Sequence, residues 1–223
     1  LRDLCLASIT LTPTLEINKP HAASARSLMN PVEQIKHSRT EARKLRDPNA
    51  DICFLALADN DGRASIRTLV LRDIGEIDFT IFINQTSPKW KLFSAGADYE
   101  LLIWYPSQQH QFRIKGTAAP LDANTVGQNW LRRPQGSKYL DYIYEGFQPQ
   151  SSELASREQL TTEVQRLKEV HKGQDMQAPS KVAGMKLIAG QIELLDLNHE
   201  DRIHSRKRFN FVNNHWQMTE LVP

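Results

Sequence analysis

The sequence predicts a mainly β protein with flanking helices, built as a small antiparallel barrel. Three observations predict it. Residues 51–119 hold short apolar or alternating runs separated by turn residues. Residues 122–170 switch to helical spacing. Residues 185–221 return to strand patterning around an Asn213-Asn214 turn.

Residues 1–30 are mixed, carry Pro13 and Pro20, and read as an irregular arm. Asn30 as N-cap and Pro31 at the first helical position start a helix over 31–46. Its apolar face is thin, so it is expected at the periphery. Strands are expected at Ile52–Ala58, Ser65–Leu71, Phe79–Ile83, Leu101–Tyr105 and Gln111–Gly116, the first two joined by an Asn60-Asp61-Gly62 turn. Ser87 caps a short helix that Pro88 begins and Gly96 stops. In the helical segment Leu160, Val164 and Leu167 recur at i, i+4 and i+7, a face expected to pack on the barrel. The last strands are Met185–Leu195, Arg206–Val212 and Trp216–Leu221.

The chain has 223 residues, 40% of them hydrophobic, enough for one sizeable core. The expected organisation is the arm followed by one domain, 31–223, with a helical insertion at about 122–170. The 28 Lys and Arg balance 26 Asp and Glu to a net charge of +2, which argues against a dedicated nucleic-acid binder. Cys5 and Cys53 form no spacing motif and fit a reducing compartment, with Cys53 read as a buried thiol. No apolar run reaches 18 residues and no signal peptide is read, so the expectation is a cytoplasmic protein without a membrane partner. The seven histidines show no metal-ligand spacing, and no metal is expected.

The basic residues are therefore judged by their local grouping. Arg202, His204 and Arg206 alternate, so an extended segment would point all three to one face. Permanent charge around a titratable ring suits an anionic ligand undergoing proton or hydride chemistry, although such triplets are more often solvated surface. Arg67 and Arg72 lie five apart, so a bulge or strand end must intervene for both to serve one ligand. Ser87 and Lys89 stand at a helix start, where free N–H groups suit phosphate as well as an ordinary cap. Arg132-Arg133-Pro134-Gln135-Gly136-Ser137 offers guanidinium and hydroxyl to a second phosphate, or is simply a helix end and turn. Gln150-Ser151-Ser152 faces a ligand or caps the next helix, and Gln111 faces a ligand or solvent.

Taken in order, these pieces resemble the pyridoxine (pyridoxamine) 5′-phosphate oxidase family, from about residue 50 to the C-terminus. The matching pieces are Arg67-Thr68-Leu69-Val70-Leu71, Phe82-Ile83-Asn84, Ser87-x-Lys89, Gln111, Arg133-Pro134-x-x-Ser137, Gln150-Ser151 and Arg202-x-His204-x-Arg206, with Trp216 and Leu221-Val222-Pro223. The resemblance implies an antiparallel split β-barrel and a homodimer with FMN at its interface. It places Arg67, Lys89 and nearby Ser87 on the FMN phosphate, with Thr68, Leu69, Phe82, Ile83, Gln111, Gln150, Ser151 and Arg206 also on the cofactor. It places Arg72, Asn129, Arg133 and Ser137 around a vitamin B6 phosphate, and Arg202 and His204, as catalytic residues, over the substrate ring.

The implied reaction moves a hydride from the C4′ carbon of pyridoxamine or pyridoxine phosphate to the flavin. Molecular oxygen reoxidises the flavin and leaves as hydrogen peroxide. The protein supplies orientation and charge. The same residues also suit a divergent FMN-dependent oxidoreductase acting on another small anionic substrate, or a non-catalytic FMN or pyridoxal phosphate binding protein. Departures from the family pattern are Arg72 for a lysine, Pro88 for a basic residue, Asn129 for a tyrosine and Leu195 for a tryptophan. Val182-Ala183-Gly184 stands for an aromatic-glycine segment.

Overall fold

The computed structural model describes residues 30–198 and 200–223. The arm expected over residues 1–30 lies outside them, apart from Asn30. The elements in chain order are α1 (Pro31–Lys44), β1 (Ile52–Ala58), β2 (Ala64–Val70), β3 (Asp73–Ile74), β4 (Asp78–Asn84), α2 (Pro88–Ser94) and β5 (Tyr99–Tyr105). They continue with β6 (His110–Pro120), α3 (Ala123–Leu131), α4 (Gln135–Gly146), α5 (Arg157–Val170), β7 (Val182–Asp196), β8 (Ser205–Val212) and β9 (His215–Leu221).

Among the described residues, nine strands make one sheet in the order β2-β1-β5-β6-β7-β4-β3, with β8 on β7 and β9 on β8. Every pairing is antiparallel. The 15-residue strand β7 is the hinge of this topology. One edge runs along β6, while the other pairs first with β4 through Ile188 and then with β8 from Gln191. The sheet therefore splits at residues 189–190 and curls around its apolar face. This is the antiparallel split barrel with flanking helices.

The split depends on a bulge. Lys115 pairs with Gln191 and Gly116 with Ala189, so Gly190 is skipped. A Cβ on Gly116 would sit 1.9 Å from the Ile188 carbonyl oxygen and 2.7 Å from the Gly190 nitrogen. Gly116→Ala is therefore expected to destabilise the protein by about 3 kcal/mol, because backbone rather than a mobile side chain must yield. Urea unfolding measures this, and an unchanged midpoint would refute the close approach.

The core is one alternating face of the sheet. Leu55, Leu101, Ile114, Ile192 and Phe209 are cross-strand neighbours and all are buried. Cys53 belongs to this core, and burial pushes its thiol up to about 12. Helix α1 covers part of it more deeply than its thin stripe suggests: Val32, Ile35 and Ala42 are fully buried. Asn30 caps α1 as expected, accepting from Val32 N at 3.0 Å. Asn213 and Asn214, with φ of 50° and 62°, make the β8–β9 hairpin as read. No described helix is long and apolar enough to cross a membrane.

The α5 face was expected to pack on the barrel. Leu160, Val164 and Leu167 instead pack into a second apolar cluster with Trp130, Tyr139 and Ile143. That cluster joins the sheet at Val182, Phe82 and Leu121. The helices thus make their own layer, because α4 presents an apolar face of its own for α5 to cover.

Candidate functional site

A buried basic cluster lies where β2, β4, α2 and α4 meet. Along β2, Arg67 and Leu69 face inward, opposite Leu55 and Cys53. At the end of β4, Phe82, Ile83 and Asn84 line a cavity of about 140 Å³. Leu69, Lys89, Arg133, Ser137, Leu140, Asp141, Tyr144 and Gln150 complete the lining. Strand β2 ends at Val70, so Arg72 leaves the strand alternation, and its charge acts on Arg133. The strand end is thus what lets two arginines five apart serve one region.

Hydrogen bonds lock this corner. The Asn84 side-chain oxygen accepts from Thr86 N at 3.0 Å and Thr86 Oγ1 at 2.8 Å, while its amide donates to Asp141 at 3.1 Å. Thr86 Oγ1 accepts from Gln150 N at 3.1 Å, and Lys89 Nζ donates to Gln150 Oε1 at 2.9 Å. Ser87 is fully buried and accepts from Trp90 N at 3.4 Å, so its hydroxyl is engaged as the cap of α2. Arg133 Nη2 lies 2.8 Å from Asp141 Oδ2, close enough for an ion pair but not aligned as a hydrogen bond.

The electrostatics are those of an anion site. Lys89 is 8% exposed, and burial together with the charge of Arg67 pulls its ammonium down to about 8. Burial pushes the Asp141 carboxyl above the usual range, against the pull of Arg133, Asn84 and Lys89. Arg67 donates to Ser65 through Nη2, but its Nη1 is buried without a protein partner, as is Arg133 Nε. Buried guanidinium donors without a protein partner are groups whose bonding an oxyanion would complete.

A second group lies elsewhere. Phe112 and Ile114 point into the core, so Gln111 points to the opposite face of β6. There Gln111, Leu195 and Arg206 form a row across β6, β7 and β8. Arg206 Nη2 and Arg208 Nε donate to the two oxygens of Glu193 at 2.9 and 3.0 Å. The row read for Arg202, His204 and Arg206 is not extended. Strand β8 begins at Ser205, and Arg202 sits before it with φ of 61°, in the left-handed region and exposed. His204 is half-buried, and its Nδ1 has no partner.

Within one chain the structure gathers Arg67, Leu69, Phe82, Ile83, Lys89, Arg133, Ser137 and Gln150, with Arg72 alongside. It leaves Gln111 and Arg206 on the outer face, Thr68 exposed on β2, and Ser151 exposed with φ of 71°. Asn129 is on α3 with a buried oxygen that has no partner. Helix α5 is capped by Ser156 rather than by Gln150-Ser151-Ser152.

Comparison with known proteins agrees with this architecture. Pyridoxine/pyridoxamine 5′-phosphate oxidase from Trichormus variabilis is 26% identical over 87% of this chain and 89% of its own length. The enzyme of that name from Pseudomonas putida is 29% identical over 78% of this chain and 79% of its own. The solved structure of PhzG from Burkholderia lata, in complex with tetrahydrophenazine-1-carboxylic acid, superposes with a TM-score of 0.79 at 25% identity. It covers 87% of this chain and 93% of PhzG. This chain is similar to the pyridoxine/pyridoxamine 5′-phosphate oxidases in sequence and in fold.

A pyridoxamine 5′-phosphate oxidase-related, FMN binding protein from Nostoc punctiforme shares the fold, with a TM-score of 0.68 at 16% identity. No protein-family model matches the chain. Against the oxidase pattern, Leu195 stands in the outer row between Gln111 and Arg206. Gly184 pairs with Phe82, and a Cβ there would meet the Leu121 side chain at 2.6 Å and the Phe82 ring at 3.1 Å, so those side chains would have to shift for a larger residue. Among the described residues, no three His, Cys, Asp or Glu are grouped to hold a metal.

The sequence reading missed Asp141, Tyr144 and Thr86. A signal was present for the first two. Ser137, Asp141 and Tyr144 are spaced i, i+4, i+7, which places them on one face of α4. Once Ser137 is taken as a site residue, that face is the site wall.

Proposed function

We propose that the protein is an FMN-dependent oxidase that converts pyridoxamine or pyridoxine 5′-phosphate to pyridoxal 5′-phosphate, reducing oxygen to hydrogen peroxide. It would work as a cytoplasmic homodimer with FMN at the interface. The observation that carries the reading is the convergence of Arg67, Lys89 and Arg133 beside a small cavity, with Arg67 Nη1 and Arg133 Nε buried without a protein partner. A volume of about 140 Å³ holds an acid group, not a flavin and a second ring; small-molecule sites run to roughly 300–1,000 Å³. The remaining contacts of the family pattern, Gln111 and Arg206, are on the other face of the same sheet. A second copy that presents its outer face to this cavity would complete the site. Ile66 and Val70, 73% and 43% exposed on β2, supply apolar surface for such an association.

The donor set fits a flavin phosphate. Arg67 and Lys89 would hold it, with Gln150 fixing the Lys89 ammonium. FMN, when bound, supplies the hydride acceptor and its reoxidation by oxygen. Arg133, Ser137 and Arg72 would anchor the acid group of the substrate and so orient its ring. Arg202 and His204 of the second copy would cover that ring. Two observations favour a second reading, oxidation or reduction of a ring substrate with a different acid group. Arg133 is already paired with Asp141, and PhzG was solved with a ring carboxylic acid.

The test is the visible spectrum of the purified protein, followed by stoichiometric pyridoxal phosphate and peroxide from either vitamer. A colourless protein that takes up no FMN sinks the cofactor, and a flavin-loaded protein inert to both vitamers sinks the substrate.

A pH dependence follows from Lys89. Phosphate binds the charged ammonium, which the free protein loses as pH rises past about 8. FMN affinity is therefore expected to be greatest below that value and to fall about tenfold by roughly pH 9. Fluorescence titration of apoprotein measures it, and a flat profile excludes Lys89 as an anion ligand.

A further inference from the structure

Trp104 stands on the outer face of the sheet, in line with Gln111 and Arg206. Ile103 and Tyr105 are fully buried in the core, so Trp104 points to the opposite face of β5. There it is the cross-strand partner of Gln111, and the row runs Trp104, Gln111, Leu195, Arg206, Leu221 from β5 to β9. Trp104 is the only ring among these five residues. It is half-buried and belongs to neither apolar cluster, so packing inside one chain does not account for its size. The charged groups on this face pair with one another: Arg113 and Lys115 with Glu100, Arg206 and Arg208 with Glu193. The row therefore offers a flat apolar surface and a neutral amide side by side. Adjacent strands lie about 4.8 Å apart, so a multi-ring plane seated on Gln111 reaches the side chains on both sides of it. Leu195 on one side is aliphatic, while Trp104 on the other offers the face or edge of a π-system.

We propose that Trp104 is a cofactor-contact residue: presented by the second copy, it packs its indole against the flavin ring system while Arg67 and Lys89 of the first copy hold the phosphate. The proposal rests on the reading above that a second copy completes the FMN site with its outer face. Ring contact adds affinity that the polar side chains of Gln111 and Arg206 do not supply.

The test reads flavin absorbance and emission with wild type, Trp104→Leu and Trp104→Phe. An indole in contact with a flavin quenches its emission by donating an electron to the excited ring, which leucine and phenylalanine do not do. FMN is expected to lose most of its emission on binding wild type and to keep more of it on binding either variant. Trp104→Leu is expected to weaken FMN about tenfold and Trp104→Phe less than about threefold, because phenylalanine keeps a ring at the contact. Equal emission of bound FMN in wild type and variants overturns the proposal, since a residue that only packs between subunits changes dimer stability and not the flavin. The phenylalanine variant decides this even if the leucine variant does not fold. Mixed dimers of Trp104→Leu with Lys89→Ala show which copy supplies the ring. One of their two sites is intact and the other carries both changes, so one site is expected to bind FMN as wild type does. Two equally weakened sites would put Trp104 and Lys89 of one chain in the same site and overturn the proposal. A wild type whose absorbance shows no bound FMN sinks the cofactor reading and the proposal with it, an outcome distinct from bound FMN with unchanged emission.

Discussion

FMN affinity is expected to fall about 100-fold when Lys89 is replaced by alanine. Lys89 is an almost completely buried ammonium whose hydrogen-bond partner is the neutral Gln150. The nearest opposing charge, Asp141, is occupied by Arg133, and Arg67 repels it. A phosphate placed there replaces an unfavourable environment with a charge-assisted bond worth about 1.5–3 kcal/mol, which is roughly ten- to 150-fold in affinity. The apoprotein should lose no stability and is expected to gain some, because a desolvated cation has been removed. Flavin fluorescence titration reads the affinity, and thermal melting of the apoprotein reads the stability. Arg202→Ala is the contrast, since Arg202 is exposed and outside the cluster. It should leave FMN affinity within about threefold while lowering turnover. Equal loss of FMN in both variants would contradict this division.

Arg133→Ala is expected to destabilise the folded protein by about 3 kcal/mol. The change leaves Asp141 buried with a single hydrogen bond from Asn84 and with Lys89 as its other cation. An uncompensated buried charge costs about 3–5 kcal/mol, and the lower end applies because the acid escapes by taking up a proton. Adding Asp141→Asn should restore at least half of the loss, and a double-mutant cycle in urea measures the coupling. Strict additivity of the two changes would show that the pair is not energetically joined.

Much of the fold was legible because local chemistry and tertiary context agree. Ile52–Ala58 is a strand at the residues where the apolar run places it, and Asn30 caps α1 as its sequence requires. Asn213-Asn214 turns where two left-handed residues are tolerated. What was not legible depends on partners distant in sequence. The two-residue strand β3 exists because Asp73 and Ile74 find β4. Leu167 faces Trp130 and Tyr139 rather than the barrel, a choice its own spacing cannot reveal. In the site, Arg67, Lys89, Arg133 and Ser137 were readable as basic or hydroxyl groups in order. Asp141 was readable only as a position on the Ser137 face of α4, because its role is set by Asn84 and by the Arg133 charge. The Arg202–Arg206 row failed on backbone geometry, since the left-handed turn at Arg202 breaks the alternation before β8 starts.

Cys53 gives the core a chemical property beyond packing. Oxidants attack the thiolate, and with its proton held until about 12 only roughly one molecule in 10⁵ carries a thiolate at neutral pH. Enclosure among Leu55, Leu69 and the rest of the inner face makes this sulfur inert to the by-product of the proposed reaction.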